Sequence, residues 1–180
     1  SDGMGSGLEA CQESESIVDT LEQLVEAGFS GETAARMVNS VLNLKTKNGR
    51  FSTVDISMVD LYSGMCHFLK AGAATTFIKR DHWVEAISST SLALGLVQQA
   101  DFESSTKKLY EGDFLIMVTD GVLDALPEGQ AEEIMKEIIL QTNASAAQEL
   151  GRGILERVLT YSGYCATDDM TVLAAGLWRN

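Results

Sequence analysis

The sequence predicts an α+β domain built on a mainly antiparallel sheet, and three observations carry that prediction. Apolar residues at helical spacing occur as two neighbouring stretches early in the chain and again as two late in it. Between them stand short runs of alternating or wholly apolar residues, separated by glycine and polar turns. No internal repeat or low-complexity linker divides the chain, so residues 1–180 are expected to form one domain, a length that supports one sizeable core.

From Ser14 to Ala27, the residues Ile17, Leu21, Leu24 and Val25 follow the helical period, with Ser14 or Ser16 as cap and Gly28 as stop. Ser30 to Leu44 repeats the pattern through Ala34, Met37, Val38, Val41 and Leu42, until KTKNGR breaks it with an exposed turn. In FSTVDISMVDL the period shortens: Val54, Ile56 and Met58 alternate with Thr53, Asp55 and Ser57. YSG then leads into CHFLKAG, which predicts an antiparallel hairpin. TTFIKR, WVEAI and LALGLV read as further short strands, with Lys79, Arg80 and Asp81 at a turn. FLIMV, from Phe114 to Val118, is an unbroken apolar run that predicts a strand covered on both faces, and it leaves into TDG. Beyond Pro127, Glu132 to Leu140 and Ser145 to Leu159 predict two more helices, and MTVLAAGL closes the chain as a strand.

Composition narrows the partners. Lys and Arg total 13 against 26 Asp and Glu, a formal charge of -13, so the average surface field repels nucleic acid and anionic membrane. A phosphorylated substrate is repelled too, unless a bound cation reverses the sign locally. Cys11, Cys66 and Cys165 are odd in number and show no CxxC spacing, which predicts neither a disulfide framework nor a zinc site and fits a reducing cytoplasm. No apolar stretch is long enough to span a bilayer, and no signal peptide is visible, so any anchor is expected upstream in a longer parent.

Three aspartates stand where the chain enters or leaves a predicted strand: Asp2 in SDGMG, Asp120 in VTDGV, and Asp168 beside Asp169 in ATDDMTV. Carboxylates gathered in one cleft repel each other, so such a cluster is stable mainly around a hard divalent cation. Oxygen ligands favour Mg²⁺ or Mn²⁺ over zinc. Taken singly, however, Asp-Gly is a common turn pair, and spacing alone does not bring these residues together.

SDGMG, STVDISMVDL, KAGAATTFIKR, LALGLV, GDFLIMVTDGVLDA and DDMTV, in this order, resemble the catalytic domain of the metal-dependent serine/threonine phosphatases of the 2C type, in the bacterial branch typified by stage II sporulation protein E. The resemblance spans nearly the whole chain. It implies an α-β-β-α sandwich with mainly antiparallel sheets and two bound ions, Mn²⁺ or Mg²⁺. By motif, Asp2 would bridge both ions, the Gly3 carbonyl would bind the second, and Asp120 and Asp168 would complete the first. Asp169 takes the place where many relatives carry asparagine, as a neighbour to the ligands. No side-chain nucleophile is implied, because a metal-activated water attacks phosphorus. The implied substrate is a phosphoserine or phosphothreonine protein, such as an anti-anti-sigma factor in bacterial signalling or sporulation. In this branch the helical pair after SDGMG can act as a switch that completes the metal site, and the resemblance makes residues 14 to 44 the candidate segment.

Family members carry strands before the SDGMG motif, together with an acidic ligand of the second ion, so this chain is expected to lack N-terminal parts of the full domain. An exposed sheet edge would invite pairing into a homodimer. Two other readings stay open. The fold could serve as a non-catalytic sensor or protein-binding module with an incomplete metal site. VTDGVLDA also resembles haloacid-dehalogenase-type phosphatases, but Val118 stands where their nucleophilic aspartate belongs. His67 and His82 have no second histidine at ligand spacing, and Met37 and Met58 fall on apolar faces, so all four are expected to be structural. Lys79 and Arg80 are a solvated turn or a phosphoprotein-steering pair, Trp83 and Trp178 are expected to pack, and Cys11 and Cys66 lack an adjacent base.

Overall fold

A computed structural model describes residues 1–3, 8–45, 51–98, 102–164 and 168–178, with the side chains of residues 2, 3, 8–10 and 45 left aside. The break expected in KTKNGR after Lys45, and Cys165, lie outside the described residues. The chain divides into two units, residues 1–73 with 89–108, and residues 74–88 with 109–180. Each holds one four-stranded sheet among the described residues, and every strand pairing is antiparallel, in the α+β class expected.

The first unit begins with the two-residue strand β1 (Asp2–Gly3), followed by helices α1 (Leu8–Glu26) and α2 (Gly31–Lys45). Helix α1 starts ahead of the expected Ser14 because Leu8, Glu9, Ala10 and Gln12 are good helix formers. Ser30 caps α2, accepting the Thr33 N–H on its hydroxyl at 3.2 Å and the Ala34 N–H on its carbonyl at 2.9 Å. Strands β2 (Ser52–Val59) and β3 (Met65–Ala71) form the expected hairpin, with Val54 opposite Ala71 and Val59 opposite Cys66. The helices lay Ile17, Leu21, Ala34, Ala35, Val38 and Leu42 against Val54, Leu69, Ala71 and Leu94. Met37 and Val41, expected on the apolar face of α2, are instead 40% and 46% exposed, since Ala34, Ala35, Val38 and Leu42 occupy the face turned to the sheet.

Two readings of this unit are corrected. LALGLV is not a strand: its one ladder contact is an isolated bridge between Ser52 and Leu94, and Gly95 adopts a left-handed φ of 87° that ends any extended run. The strand beside β3 is β6 (Glu103–Lys108), sequence ESSTKK, which sequence patterning did not reveal. It sits at the edge of the order β1-β2-β3-β6, where largely exposed, polar side chains are tolerated and apolar alternation is lost.

The second unit has strand order β5-β4-β7-β8, comprising β4 (Thr76–Arg80), β5 (Trp83–Ile87), β7 (Phe114–Val118) and β8 (Val172–Gly176). Helices α4 (Ala131–Gln141) and α5 (Ala147–Tyr161) match expectation to within two residues at each end, and a short α3 (Asp120–Asp124) follows β7 where only a turn was expected. Their apolar faces, including Met135, Ile138, Ile139, Leu150, Ile154 and Val158, meet Phe77, Phe114 and Ile116 in one core. Lys79 and Arg80 belong to β4 and are committed structurally. The Lys79 ammonium donates to the carbonyls of Ile139 and Thr142 at 2.9 and 2.6 Å, a cation on the C-terminal end of α4. Arg80 donates to Asp113 at 2.9 Å and lies over the rings of Trp83 and Tyr110. Trp83 and Trp178 remain 48% and 50% exposed, the latter packed edge-on against Phe114.

Candidate metal site at the strand ends

Antiparallel register places the end of β7 beside the start of β8, with Val118 opposite Val172. Asp120 follows the first of these strands, and Asp168 and Asp169 precede the second. Thr119 joins them across 50 residues of sequence. Its N–H donates to the Thr171 carbonyl at 3.1 Å, and its hydroxyl donates to the Asp169 carbonyl at 3.2 Å while accepting the Thr171 N–H at 2.9 Å. With its hydroxyl so engaged, Thr119 makes no side-chain cap for α3. Sequence reading passed over this residue, because a threonine before Asp-Gly is indistinguishable from an ordinary cap.

Gly121 explains how closely the two segments approach. A Cβ at this position would collide with the Asp169 carbonyl oxygen and stand 3.2 Å from the Asp168 Cβ. Its backbone is helical and outside the left-handed region, so the glycine of this Asp-Gly pair serves close approach rather than a turn. Each aspartate is oriented by the peptide that follows it. The Gly121 N–H donates to Asp120 Oδ1 at 3.0 Å, and the Asp169 N–H donates to Asp168 Oδ1 at 2.8 Å. Asp120, Asp168 and Asp169 are all exposed. Among the described residues, Oδ2 of Asp120 and of Asp168 has no hydrogen-bond or ion-pair partner.

Asp2 and Gly3 belong to the first unit. Their backbone pairs with Thr53 and Ser52, the Ser1 and Ser52 hydroxyls lie 3.0 Å apart, and the Ser14 hydroxyl donates to the Ser1 carbonyl at 2.6 Å. SDG is therefore built as a strand start tied to both β2 and α1. The Asp2 side chain lies outside the described residues. Among the described residues no three His, Cys, Asp or Glu side chains form a group that could hold a metal ion. What the two segments offer suits a hard divalent cation: two exposed carboxylates on adjoining stretches of chain, each with an oxygen to spare.

The other candidates gather elsewhere or nowhere. His67 shares a 3.0 Å hydrogen bond with Thr106 on the exposed face of β3. Cys66 is fully buried, and burial pushes its thiol up to about 11, which leaves it protonated and unreactive at neutral pH. Cys11 is exposed on α1. Among the described residues no helix is long and apolar enough to cross a membrane.

The chain is 33% identical over 181 residues to stage II sporulation protein E of Bacillus subtilis, covering 100% of this chain and 22% of that protein. It is 22% identical over 176 residues to the phosphoserine phosphatase RsbU of the same organism, covering 96% of this chain and 52% of that protein. The chain thus spans about a fifth and about half of these two relatives. A solved structure of the PP2C phosphatase domain of the Bacillus subtilis sporulation protein, with a fragment of its regulatory domain, superposes with a TM-score of 0.90 at 32% identity, over 99% of this chain and 52% of that one. Another structure of that phosphatase domain was presoaked with manganese. The model of the stage II sporulation protein E family matches residues 1–177, and the chain belongs to that family.

Proposed function

We propose that residues 1–180 form one catalytic domain of a metal-dependent phosphoprotein phosphatase. It hydrolyses phosphoserine or phosphothreonine on an anti-anti-sigma-factor-like regulator in bacterial signalling or sporulation, and it acts in the cytoplasm. The observation that carries this reading is the junction at which Gly121 and Thr119 hold the Asp120 and Asp168 segments against each other. Relatives named as phosphatases support it, as does the fold shared with a PP2C domain.

Asp120 and Asp168 would hold one ion through their second oxygens, with Asp169 beside them. Asp2 and the Gly3 carbonyl would hold a second ion and share the first. When bound, Mn²⁺ or Mg²⁺ supplies Lewis-acid activation of water and neutralisation of phosphate charge. The remaining work belongs to the chain. Peptide N–H groups fix one oxygen of each carboxylate, so the ligands are aimed before any ion arrives. Thr119 holds the two segments together, and the missing side chain at Gly121 lets them meet. With a formal charge of -13, the chain depends on bound cations to attract a phosphorylated substrate. Buried, protonated Cys66 offers no thiolate, and Val118 offers no carboxylate for the covalent aspartate route. Helices α1 and α2 are the segment through which activity would be switched, since Ser14 of α1 touches the SDG strand directly.

The test is phosphate release from a serine-phosphorylated anti-anti-sigma factor with Mn²⁺, with added chelator, and with Asp120→Asn. Release that chelator stops and that the substitution lowers by more than about a hundredfold supports the reading. Absence of release at saturating Mn²⁺ overturns it in favour of a non-catalytic binding module.

A further inference from the structure

Residues 89–98 of the first unit form neither helix nor strand, yet their backbone is fixed at one point after another. The Ser91 carbonyl accepts the Gly72 N–H at 2.9 Å, and Leu94 exchanges both backbone hydrogen bonds with Ser52, at 2.9 and 3.0 Å. Asn39 of α2, only 2% exposed, accepts the Gly95 N–H at 2.8 Å and donates to the Val97 and Gln98 carbonyls at 3.1 and 3.2 Å. Asn43 adds a bond to Val97, and the Ser91 hydroxyl donates to the Lys70 carbonyl. Ala93 and Leu94 point inward, while Leu92 and Leu96 are turned out, 54% and 47% exposed.

Single exposed leucines are ordinary on any protein surface, so exposure alone decides nothing. Placement does. Ser52 has Gly3 as its strand partner and is also bridged to Leu94, which sets this segment about two strand spacings, or ~10 Å, from Gly3. An extended peptide covers that distance in about three residues. The stretch SLALGLV, residues 91–97, is also free of charge in a chain with a formal charge of -13. A surface so placed can select apolar neighbours and offers no ion-pair partner to charged ones.

We propose that Leu92 and Leu96 form a specificity surface that binds apolar side chains two or three residues from the phosphoserine of the substrate. The inference rests on the phosphatase reading and deepens it, because it needs the phosphate to be drawn to cations that Asp2 and the Gly3 carbonyl would hold. The held backbone matters as much as the two side chains. A loop already ordered by Asn39 loses little further entropy when it binds.

The experiment compares three substrates under Mn²⁺: a phosphoserine peptide with leucines two and three residues to either side, the same peptide with serines there, and p-nitrophenyl phosphate. The wild-type chain is expected to prefer the leucine peptide by about tenfold in kcat/KM, mainly through KM. Leu92→Ser with Leu96→Ser should abolish that preference and leave p-nitrophenyl phosphate hydrolysis unchanged. Leu92→Met with Leu96→Met should restore it. A wild type without preference, or a double serine variant that keeps it, overturns the proposal. A wild type inactive on all three substrates removes the phosphatase reading itself, and the specificity surface with it.

Discussion

In the second unit, the buried residues from Phe77 to Val158 form a core of large aliphatic, methionine and phenylalanine side chains, brought by three helices onto strands β4 and β7. The first unit packs a smaller core, in which three of ten buried residues are alanine, and adds buried polar groups to it. Asn39, Ser52 and Lys70 are all 2% exposed or less there, and Lys70 pairs with Asp55 across β2 and β3. The contrast is between large and small apolar side chains. Both units also bury polar groups, Thr76, Asp113 and Thr142 in the second beside Asn39, Ser52 and Lys70 in the first, so the difference lies in the size of the apolar side chains. Close packing resists small changes evenly, while a polar contact is kept or lost outright.

The largest effect on this comparison is expected from Lys70→Met. Burial already holds the Lys70 ammonium below the usual lysine range, against the opposing pull of Asp55. The substitution takes the ammonium away from Asp55, a carboxylate largely buried in the sheet, at a cost of about 4 kcal/mol in urea unfolding. Adding Asp55→Leu should recover most of that loss, since an apolar pair of similar volume replaces a buried ion pair without penalty. If the double variant is no more stable than the single one, the ion pair is not what holds this region.

Ile154→Ala in the second unit should cost about 3 kcal/mol by the same measurement, from lost burial and the cavity left behind. No second polar substitution should rescue it, which separates the two kinds of core. Asn39→Ala comes next, at about 2 kcal/mol, because it leaves the Gly95 N–H and two carbonyls without their side-chain partner. Its signature is faster amide exchange at Gly95 with little change in α4 and α5. If exchange rises equally in both units, the segment is not held locally. The smallest effect is chemical. Iodoacetamide at pH 8 should label exposed Cys11 and spare Cys66, whose thiol stays protonated with its pKa near 11. Lys70→Met should open Cys66 to labelling if the buried face of the sheet loosens with the ion pair.

Much of the fold was legible because its signals are local. FLIMV matches β7 residue for residue, and the buried positions of α4 and α5 follow the helical period. The failures share a cause as well. ESSTKK forms a strand because β3 offers it a partner, and LALGLV does not, because Ser52, Asn39 and Asn43 take its backbone groups instead. Met37 and Val41 fitted an apolar stripe, but which side of α2 meets the sheet is a property of the packing.

The candidate site divides the same way. Composition and order alone determined the acidic balance, the carboxylates beside strand ends, and the run of motifs that carries the family resemblance, since each is a matter of which residue stands where in one dimension. That the segments carrying Asp120 and Asp168 adjoin was decided only in three dimensions, by β7 pairing with β8, by Thr119 bonding across 50 residues, and by the space that Gly121 leaves for the Asp169 carbonyl. The physical reason is range: propensity and periodicity act within a turn or two of chain, while strand pairing, close approach and buried hydrogen bonds join residues that the sequence keeps far apart.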